Sequence, residues 1–400
     1  MEKRLLSAIA LIATVSTLML SGSVIARAAP APEYSISIAC SSTETTAIGS
    51  QTVMNFNYAA QLAFKNYVEA ASSGKIQVNI YANSSLGNAS EILLQCMQGI
   101  IEVSTAGDSD ISNYYPNLQV FSIPYSFNNR LEFYNFLDSD YVQQLNDDIA
   151  AAIGVRIISA FDNGGFRNFS NNVRPIHTAE DLKGLKIRCM QSAAHVKTME
   201  ALGAIPTALA FSELYSAMQT GVVDGQENSP LVMFDNSLYE QQKYYSLDGH
   251  MVSPAYIIVN EEWLRSLPAD LQQVILDGGT MAQTAARGII ASSEGIALDL
   301  LNQAGVDVYS PTAEEKETFR IAQVPVLEWL RSEIGDEPAN NFMTAIEEVK
   351  TAGTTAIGAT AAASTSSANV VPYIIVICIL GIAVLVLAMK LKKKPSNNQE

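Results

Sequence analysis

Two patterns of hydrophobic and polar positions alternate along the chain. The segments YSISIAC and GKIQVNIYA place apolar side chains at every second position, which predicts strands with one buried face. Residues 53–70, between them, carry apolar side chains at helical spacing, and a helix capped by Ser90 precedes the strand-like IEVSTAG. Strands separated by helices predict parallel β-α-β units, and hence an α/β fold.

The same alternation continues through the middle of the chain. GVRIISAFDN and LKGLKIRCM predict two more strands, and Ser192 and Ser212 are suitable N-caps for the helices that follow. From Pro268 to about Gln303 the pattern is helical, which corresponds to a length of roughly 50 Å. Such a helix is too long for one compact lobe.

The N-terminal end has the features of a targeting segment. Lys3 and Arg4 precede an apolar run, and the sequence ARA ending at Ala28 supplies the small residues that a signal peptidase reads. Residues 1–28 are therefore predicted to be a secretory signal peptide. An uncleaved N-terminal anchor is the alternative.

The C-terminal end predicts a membrane anchor. Residues 370–389 contain no charged residue, and a helix of 20 residues spans about 30 Å, the thickness of a bilayer core. The lysines of residues 390–400 predict a cytoplasmic tail and an extracytoplasmic domain before the anchor. A buried soluble helix is the alternative. Residues 351–369, rich in Ala, Thr and Ser and without charge, predict a flexible tether.

Composition excludes several classes of protein. The formal net charge of −16 argues against nucleic acid and against anionic lipid as partners. Four cysteines, Cys40, Cys96, Cys189 and Cys378, form no disulfide framework and no metal-ligand spacing. No GxSxG, HExxH or P-loop motif is present, and the three histidines lack metal-ligand spacing. We therefore expect neither an enzyme nor a cofactor.

The most specific pattern lies in residues 184–230. This stretch contains GLKIR, ending at Arg188, and VDGQEN, ending at Asn228. Together with GGFRNFSNNVRPIHTAEDLKGLKIR upstream and VNEEWLRSLPADLQQVI downstream, it closely resembles the solute-binding subunits of tripartite ATP-independent periplasmic (TRAP) transporters. The resemblance covers residues 34–339. It implies a two-lobed α/β fold of the type II periplasmic-binding-protein class with a long bracing helix.

The resemblance also implies how the chain is divided. It places the crossings between the lobes near Asn163 and Ser253, with a ligand cleft between the lobes, beyond the carboxyl ends of the strands. The expected lobes are residues 33–163 with 254–290 for lobe I, and residues 164–253 with part of 291–350 for lobe II.

Two residues are expected to hold a ligand carboxylate. By the resemblance, Arg188 clamps the carboxylate and Asn228 supports it. The guanidinium of arginine is permanently charged, and its planar fork matches both oxygens of a carboxylate. The alternatives are an ion pair within the fold for Arg188 and an Asx-type turn for Asn228.

Three further residues are candidates for the same site. Phe211 aligns with a family aromatic residue that lies against the carbon skeleton of the substrate, with ordinary core packing as the alternative. Arg167 matches the second cleft arginine of the family. Either Gly107 or Asp108 corresponds to a position that is often polar or acidic in the family, and Asp108 is the candidate. The first loop, SSTETTAIGSQTV, is too atypical for its ligand contacts to be transferred.

Taken with the resemblance, these residues predict an extracytoplasmic receptor of a TRAP-type secondary transporter. It would capture a small organic acid by lobe closure and deliver that acid to the permease subunits, while its own C-terminal helix holds it at the cell membrane. The alternative is a sensory module that presents a carboxylate to a signalling receptor.

Overall fold

The computed structural model describes residues 31–48 and 51–364 of the chain. The strands of the first half are β1 (Tyr34–Ala39), β2 (Thr45–Ile48), β3 (Gln51–Met54), β4 (Ile76–Tyr81), β5 (Val103–Gly107) and β6 (Val155–Asp162). The strands of the second half are β7 (Arg167–Asn171), β8 (Lys186–Cys189), β9 (Ile205–Ala208), β10 (Gly225–Asn228), β11 (Tyr244–Met251), β12 (Pro254–Asn260) and β13 (Asp307–Tyr309).

Helices connect most of these strands. Those before the second half are α1 (Phe56–Ala71), α2 (Ala89–Met97), α3 (Asp108–Ile111), α4 (Arg130–Leu137) and α5 (Asp140–Ile153). Those that follow are α6 (Ala193–Ala201), α7 (Leu214–Gln219), α8 (Pro230–Asp235), α9 (Glu261–Ser266), α10 (Ala269–Gln303), α11 (Ala313–Ile334) and α12 (Asp336–Ser364). Short 3-10 turns lie at Pro116–Ser122, Ala179–Leu182, Phe211–Glu213 and Leu238–Gln241.

The strands form two main sheets, which are the centres of two lobes. The sheet of lobe I has the order β4-β1-β5-β12-β6, and the sheet of lobe II has the order β13-β11-β7-β10-β8-β9. In β1, Ile36 and Ile38 are fully buried, as the period-two pattern of YSISIAC predicts. The prediction of a two-lobed α/β fold is therefore confirmed.

Both sheets are mixed, because one strand of each enters from the cleft between the lobes. Strand β12 begins with Pro254 beside Asp162, the last residue of β6, and runs antiparallel to β5 and β6. In lobe II, β7 begins with Arg167 beside Met251, the last residue of β11, and runs antiparallel to β10 and β11. Each entering strand therefore starts at the edge where its neighbours end, and that edge faces the cleft.

The chain passes between the lobes in residues 163–166 and again in residues 252–253. The two crossing segments lie side by side, since the backbone N–H of Asn163 donates to the carbonyl of Ser253 at 3.0 Å. The carboxylate of Asp162 accepts from the N–H groups of Gly164 and Gly165, each at 3.1 Å. The first crossing is thus held in a tight turn next to the second.

Helix α10 packs on both lobes, as its predicted length requires. Its 35 residues extend about 52 Å. On the lobe I side it approaches β6 so closely that a Cβ on Gly279 would lie 2.0 Å from the carbonyl oxygen of Ile158. Only glycine permits this approach. Farther along, Glu294 accepts from Arg130, whose Nε donates to Asp162, so the helix is also tied to the first crossing.

The C-terminal part of the described chain differs from expectation. Helix α12 continues to Ser364, so most of the segment predicted to be a flexible tether (residues 351–369) is helical. The reason is its alanine content and its lack of proline, which favour a helix once α12 has started. No helix within residues 31–48 and 51–364 is both long and apolar enough to cross a bilayer. The predicted signal peptide (1–28), anchor (370–389) and tail (390–400) lie outside the described residues.

Candidate ligand-binding site

A cavity of about 130 Å³ lies between the lobes, at the edge where the central strands of both sheets end. Because Arg188 lies near the end of β8, Asn228 ends β10 and Arg167 begins β7, the topology brings all three to this edge. Asp108 follows β5 directly. The cavity is lined by all five residues that the sequence singles out: Asp108, Arg167, Arg188, Phe211 and Asn228.

Arg188 carries a buried charge without an acidic partner. Only 3% of the residue is exposed, and its Nε and Nη2 groups donate to the carbonyl oxygen of Leu209 at 3.1 and 2.8 Å. No carboxylate of the described chain lies within ion-pair distance of Arg188, and its Nη1 makes no hydrogen bond there. Burial lowers the pKa of Arg188 to about 10, which still leaves it protonated at neutral pH. The backbone bonds therefore fix the guanidinium while Nη1 remains available to a ligand.

Phe211 lies beside this guanidinium at the start of a 3-10 turn. Its ring centroid is 5.9 Å from Cζ of Arg188, within the range of a cation–π contact. The ring is half-buried and also packs against the hydrophobic core, so its two predicted roles are compatible.

Asn228 is held by bonds from its own sheet. Its Nδ2 donates to Oε1 of Gln226 at 2.6 Å, and its backbone carbonyl accepts from the hydroxyl of Tyr245 at 2.9 Å. The Oδ1 atom of Asn228 accepts no hydrogen bond from the described residues. A side chain fixed in this way presents an acceptor, and one remaining amide hydrogen, at the cavity.

Arg167 differs from Arg188, because its charge is already paired. It is fully buried, and its Nε and Nη2 groups donate to the carboxylate of Glu227 at 2.5 and 2.8 Å. Burial opposes the charged form, but the Glu227 carboxylate outweighs it and raises the pKa of Arg167. Its Nη1 group has no hydrogen-bond partner among the described residues. Arg167 can therefore offer one donor to a ligand, with its charge largely neutralised.

His250, which has no role in the sequence-based prediction of the site, supports this pair from behind. Its Nδ1 lies 2.8 Å from Asp248 and its Nε2 lies 3.4 Å from Glu227, while its ring stacks on Phe169 at 4.4 Å. Burial alone would lower the pKa of His250, but the carboxylates of Asp248 and Glu227 raise it to about 9. When protonated, the ring places positive charge between the two acids; its Nε2 is in ion-pair contact with Glu227 but makes no hydrogen bond to it.

Asp108 is the least satisfied polar group at the cavity. It is the first residue of α3 and only 2% exposed, yet neither of its carboxylate oxygens has a hydrogen-bond partner within the described chain. Burial raises the pKa of Asp108 to about 7, although the Arg167 charge opposes this. Both oxygens are therefore available to a ligand.

Other lining residues were not identified from the sequence. Ser41 and Ser42 follow β1, Asn55 caps α1, and Asn88 caps α2, and all four line the cavity. Their positions in the sequence could have identified them, because polar residues that follow a strand or begin a helix lie at the ligand-binding edge of an α/β sheet. Ser41 and Ser42 lie in the first loop, which departs too far from the family pattern for its ligand contacts to be inferred from the resemblance.

The two lobes touch across the cleft. Ser109 of lobe I donates to the sulfur of Met190 of lobe II at 3.3 Å. Nearby, Nδ2 of Asn113 donates to the carbonyl oxygen of Gln191 at 3.1 Å. These contacts close the cavity on one side, so a ligand inside it would touch both lobes.

The donor set of the cavity suits an organic anion. Within the described ranges, no three His, Cys, Asp or Glu side chains are grouped so that they could hold a metal. The cavity instead combines an unpaired guanidinium with amide and hydroxyl groups and the ring of Phe211. These are the features of a binding site for a small carboxylate.

A fold of two lobes around such a cavity defines a solute-binding protein. A family model described as bacterial extracellular solute-binding protein, family 7 (DctP), matches residues 50–333, and the chain belongs to this family of TRAP solute-binding proteins. Members of the family are receptors and not enzymes. The C4-dicarboxylate-binding periplasmic protein DctP of Rhodobacter capsulatus is 30% identical over 279 residues, which are 68% of this chain and 82% of that protein.

Solved structures agree with this assignment. The sugar acid binding protein DctPAm of Advenella mimigardefordensis, in complex with galactonate, is 26% identical with a TM-score of 0.74. The match covers 80% of this chain and 99% of that one. A TRAP periplasmic solute-binding protein of Anaerococcus prevotii with bound glucuronate is 25% identical with a TM-score of 0.73, over 79% of this chain and 98% of that one.

Proposed function

We propose that this protein is the extracytoplasmic receptor of a TRAP-type transporter, which captures a small organic acid and delivers it to the membrane permease. The observation that carries the proposal is the unpaired charge of Arg188 inside the interlobe cavity. A buried charge without a partner is costly to a fold. A ligand carboxylate on Nη1 would neutralise it.

The other lining residues then have distinct roles. Asn228 and Nη1 of Arg167 contribute further hydrogen bonds to the acid, and Phe211 lies against its carbon skeleton. All these groups belong to lobe II, so this lobe binds the acid first. Asp108 and the loop after β1 belong to lobe I and complete the site when the cleft closes. A ligand that gains contacts from both lobes favours the closed state.

The same proposal includes the membrane anchor. Residues 1–28 direct the chain across the cell membrane, and residues 370–389 hold it there by a single span. The binding lobes are then retained next to the permease, with helix α12 and residues 365–369 between them and the bilayer. The lysines of residues 390–400 keep the tail in the cytoplasm.

A thermal-shift screen of the purified full chain against carboxylic acids tests the binding function. An acid at a hundred times its dissociation constant should stabilise the protein by about 2.7 kcal/mol. Amides of the same acids, which lack the negative charge, are the matched controls and should give no shift. Reconstitution with the permease of the same gene cluster then tests delivery. Binding without uptake there would favour the sensory module instead.

A further inference from the structure

Three connections join the two lobes. The first two are the crossing segments, residues 163–166 and 252–253, which lie side by side. The third is helix α10, which packs on β6 of lobe I at Gly279 and leads into β13 of the lobe II sheet. Because the lobes can move apart only if the backbone of the crossing segments changes conformation, the groups that fix these segments control the opening of the cleft.

Asp162, at the start of the first crossing, is a buried carboxylate with four hydrogen bonds. One of its oxygens accepts from the N–H groups of Gly164 and Gly165, each at 3.1 Å. The other accepts from Nε of Arg130 at 2.7 Å and from the hydroxyl of Tyr134 at 3.0 Å. The Arg130 charge compensates the buried carboxylate. Since Arg130 and Tyr134 belong to α4, the turn of the first crossing is anchored to lobe I.

Glu294 extends this anchor to α10. Its carboxylate accepts from Nη2 of Arg130 at 2.8 Å, so Arg130 donates to one acid on the first connection and to one on the third. Glu294 also lies directly against the first crossing. A Cβ on Gly165, which has φ +117°, would lie 2.4 Å from Oε1 of Glu294. The Glu294 side chain is 28% exposed, so its charge can be removed at small cost to the fold.

The lobes touch in this conformation of the crossings, as the hydrogen bond from Ser109 to Met190 shows. We propose that Arg130 and Glu294 are positioning residues that hold the first crossing in the conformation that brings the lobes together, and so restrain the opening of the cleft. Neither residue is part of the cavity lining. Opening and closing of the lobes belongs to the proposed function, whereas this role of Arg130 and Glu294 is the same whichever acid binds.

Distances between the lobes of the ligand-free full chain in nanodiscs test this role. Nitroxide labels on Ile100→Cys in lobe I and Val222→Cys in lobe II, both at exposed positions, allow measurement by double electron–electron resonance in a Cys378→Ser background. Glu294→Gln removes the charge that Arg130 meets. It should raise the ratio of open to touching conformations about twofold to fivefold, the ratio that corresponds to a partly exposed ion pair. Glu294→Lys places a like charge beside Arg130 and should raise the ratio further.

The matched controls are Asp299→Asn and Asp299→Lys, which make the same charge changes at an exposed position of the same helix and should leave the distances unchanged. The distances are measured on folded protein, so a loss of stability alone does not alter them. Identical distributions for the wild type and both Glu294 variants, or equal changes in the Asp299 variants, would overturn the proposed role. No ligand takes part, so either result would leave the proposed function intact. That function would fail instead if no carboxylic acid bound the wild-type chain.

Discussion

Arg167 donates two side-chain hydrogen bonds to the carboxylate of Glu227 in a region of the cleft that water does not reach. The pair neutralises one of the two cleft arginines before a ligand arrives. Arg188 is fixed by a backbone carbonyl and by no acid, so its charge, unlike that of Arg167, is not neutralised. The first two predictions follow from this difference.

Arg188→Lys should weaken binding of every carboxylate ligand by about a hundredfold, equivalent to about 2.7 kcal/mol. An ammonium keeps the charge but cannot donate to the Leu209 carbonyl and to a ligand in the same fixed geometry. Titration calorimetry measures the loss. Arg265→Lys, at an exposed position on α9, is the matched control and should bind normally. Wild-type affinity in Arg188→Lys would contradict the assignment of the clamp.

Glu227→Gln should destabilise the protein by about 3–5 kcal/mol, because it leaves the fully buried Arg167 charge without its partner. Urea unfolding monitored by circular dichroism measures the change. The same substitution in an exposed pair, Glu180→Gln beside Lys183, should cost no more than about 1 kcal/mol. Equal effects of the two substitutions would mean that the buried pair contributes nothing beyond a surface one.

Stability should fall as the pH rises from about 6.5 to 9. The pKa of His250 is raised to about 9 by Asp248 and Glu227, whereas that of an unfolded histidine is about 6.5. The contribution of the protonated ring is therefore complete below pH 6.5 and is lost as the pH approaches 9. Each pKa unit corresponds to about 1.4 kcal/mol. His195, close by, is buried with a pKa lowered to about 3, so it stays neutral throughout this range.

Melting temperatures of the wild type and of His250→Gln across this pH range provide the measurement. The decline should be present in the wild type and much smaller in His250→Gln. His177→Gln, at an exposed position, should retain the wild-type decline. Parallel pH profiles for wild type and His250→Gln would show that the ring does not carry a proton between its two acids.

The predicted orientation in the membrane can be tested by cysteine labelling. In intact spheroplasts, a membrane-impermeant maleimide should modify Ala352→Cys, which lies on an exposed face of α12, and should not modify Ser396→Cys in the tail. Permeabilised cells should label both. Cys40, Cys96 and Cys189, the native cysteines within the described residues, are buried and give a low background. Labelling of Ser396→Cys in intact cells would contradict the single-span topology.

Much of the fold was predictable because the relevant signals are local. Alternation in YSISIAC and the helical run after Pro268 depend on which faces are buried, and the structure reproduces both as β1 and α10. The tether predicted for residues 351–369 was harder to predict. A segment rich in alanine and free of charged residues can form a coil or the end of a helix, and in the structure α12 extends as far as Ser364.

The sequence by itself determined the residue types at the candidate site: two arginines, an asparagine, an aromatic ring and an aspartate in a recognisable order. Only the tertiary structure decided which arginine is free, because the partner of Arg167 lies 60 residues away on a neighbouring strand and that of Arg188 is a backbone carbonyl. It also left Asp108 without a partner. Hydrogen bonding and charge balance depend on contacts between distant segments, and local pattern carries no information about those contacts.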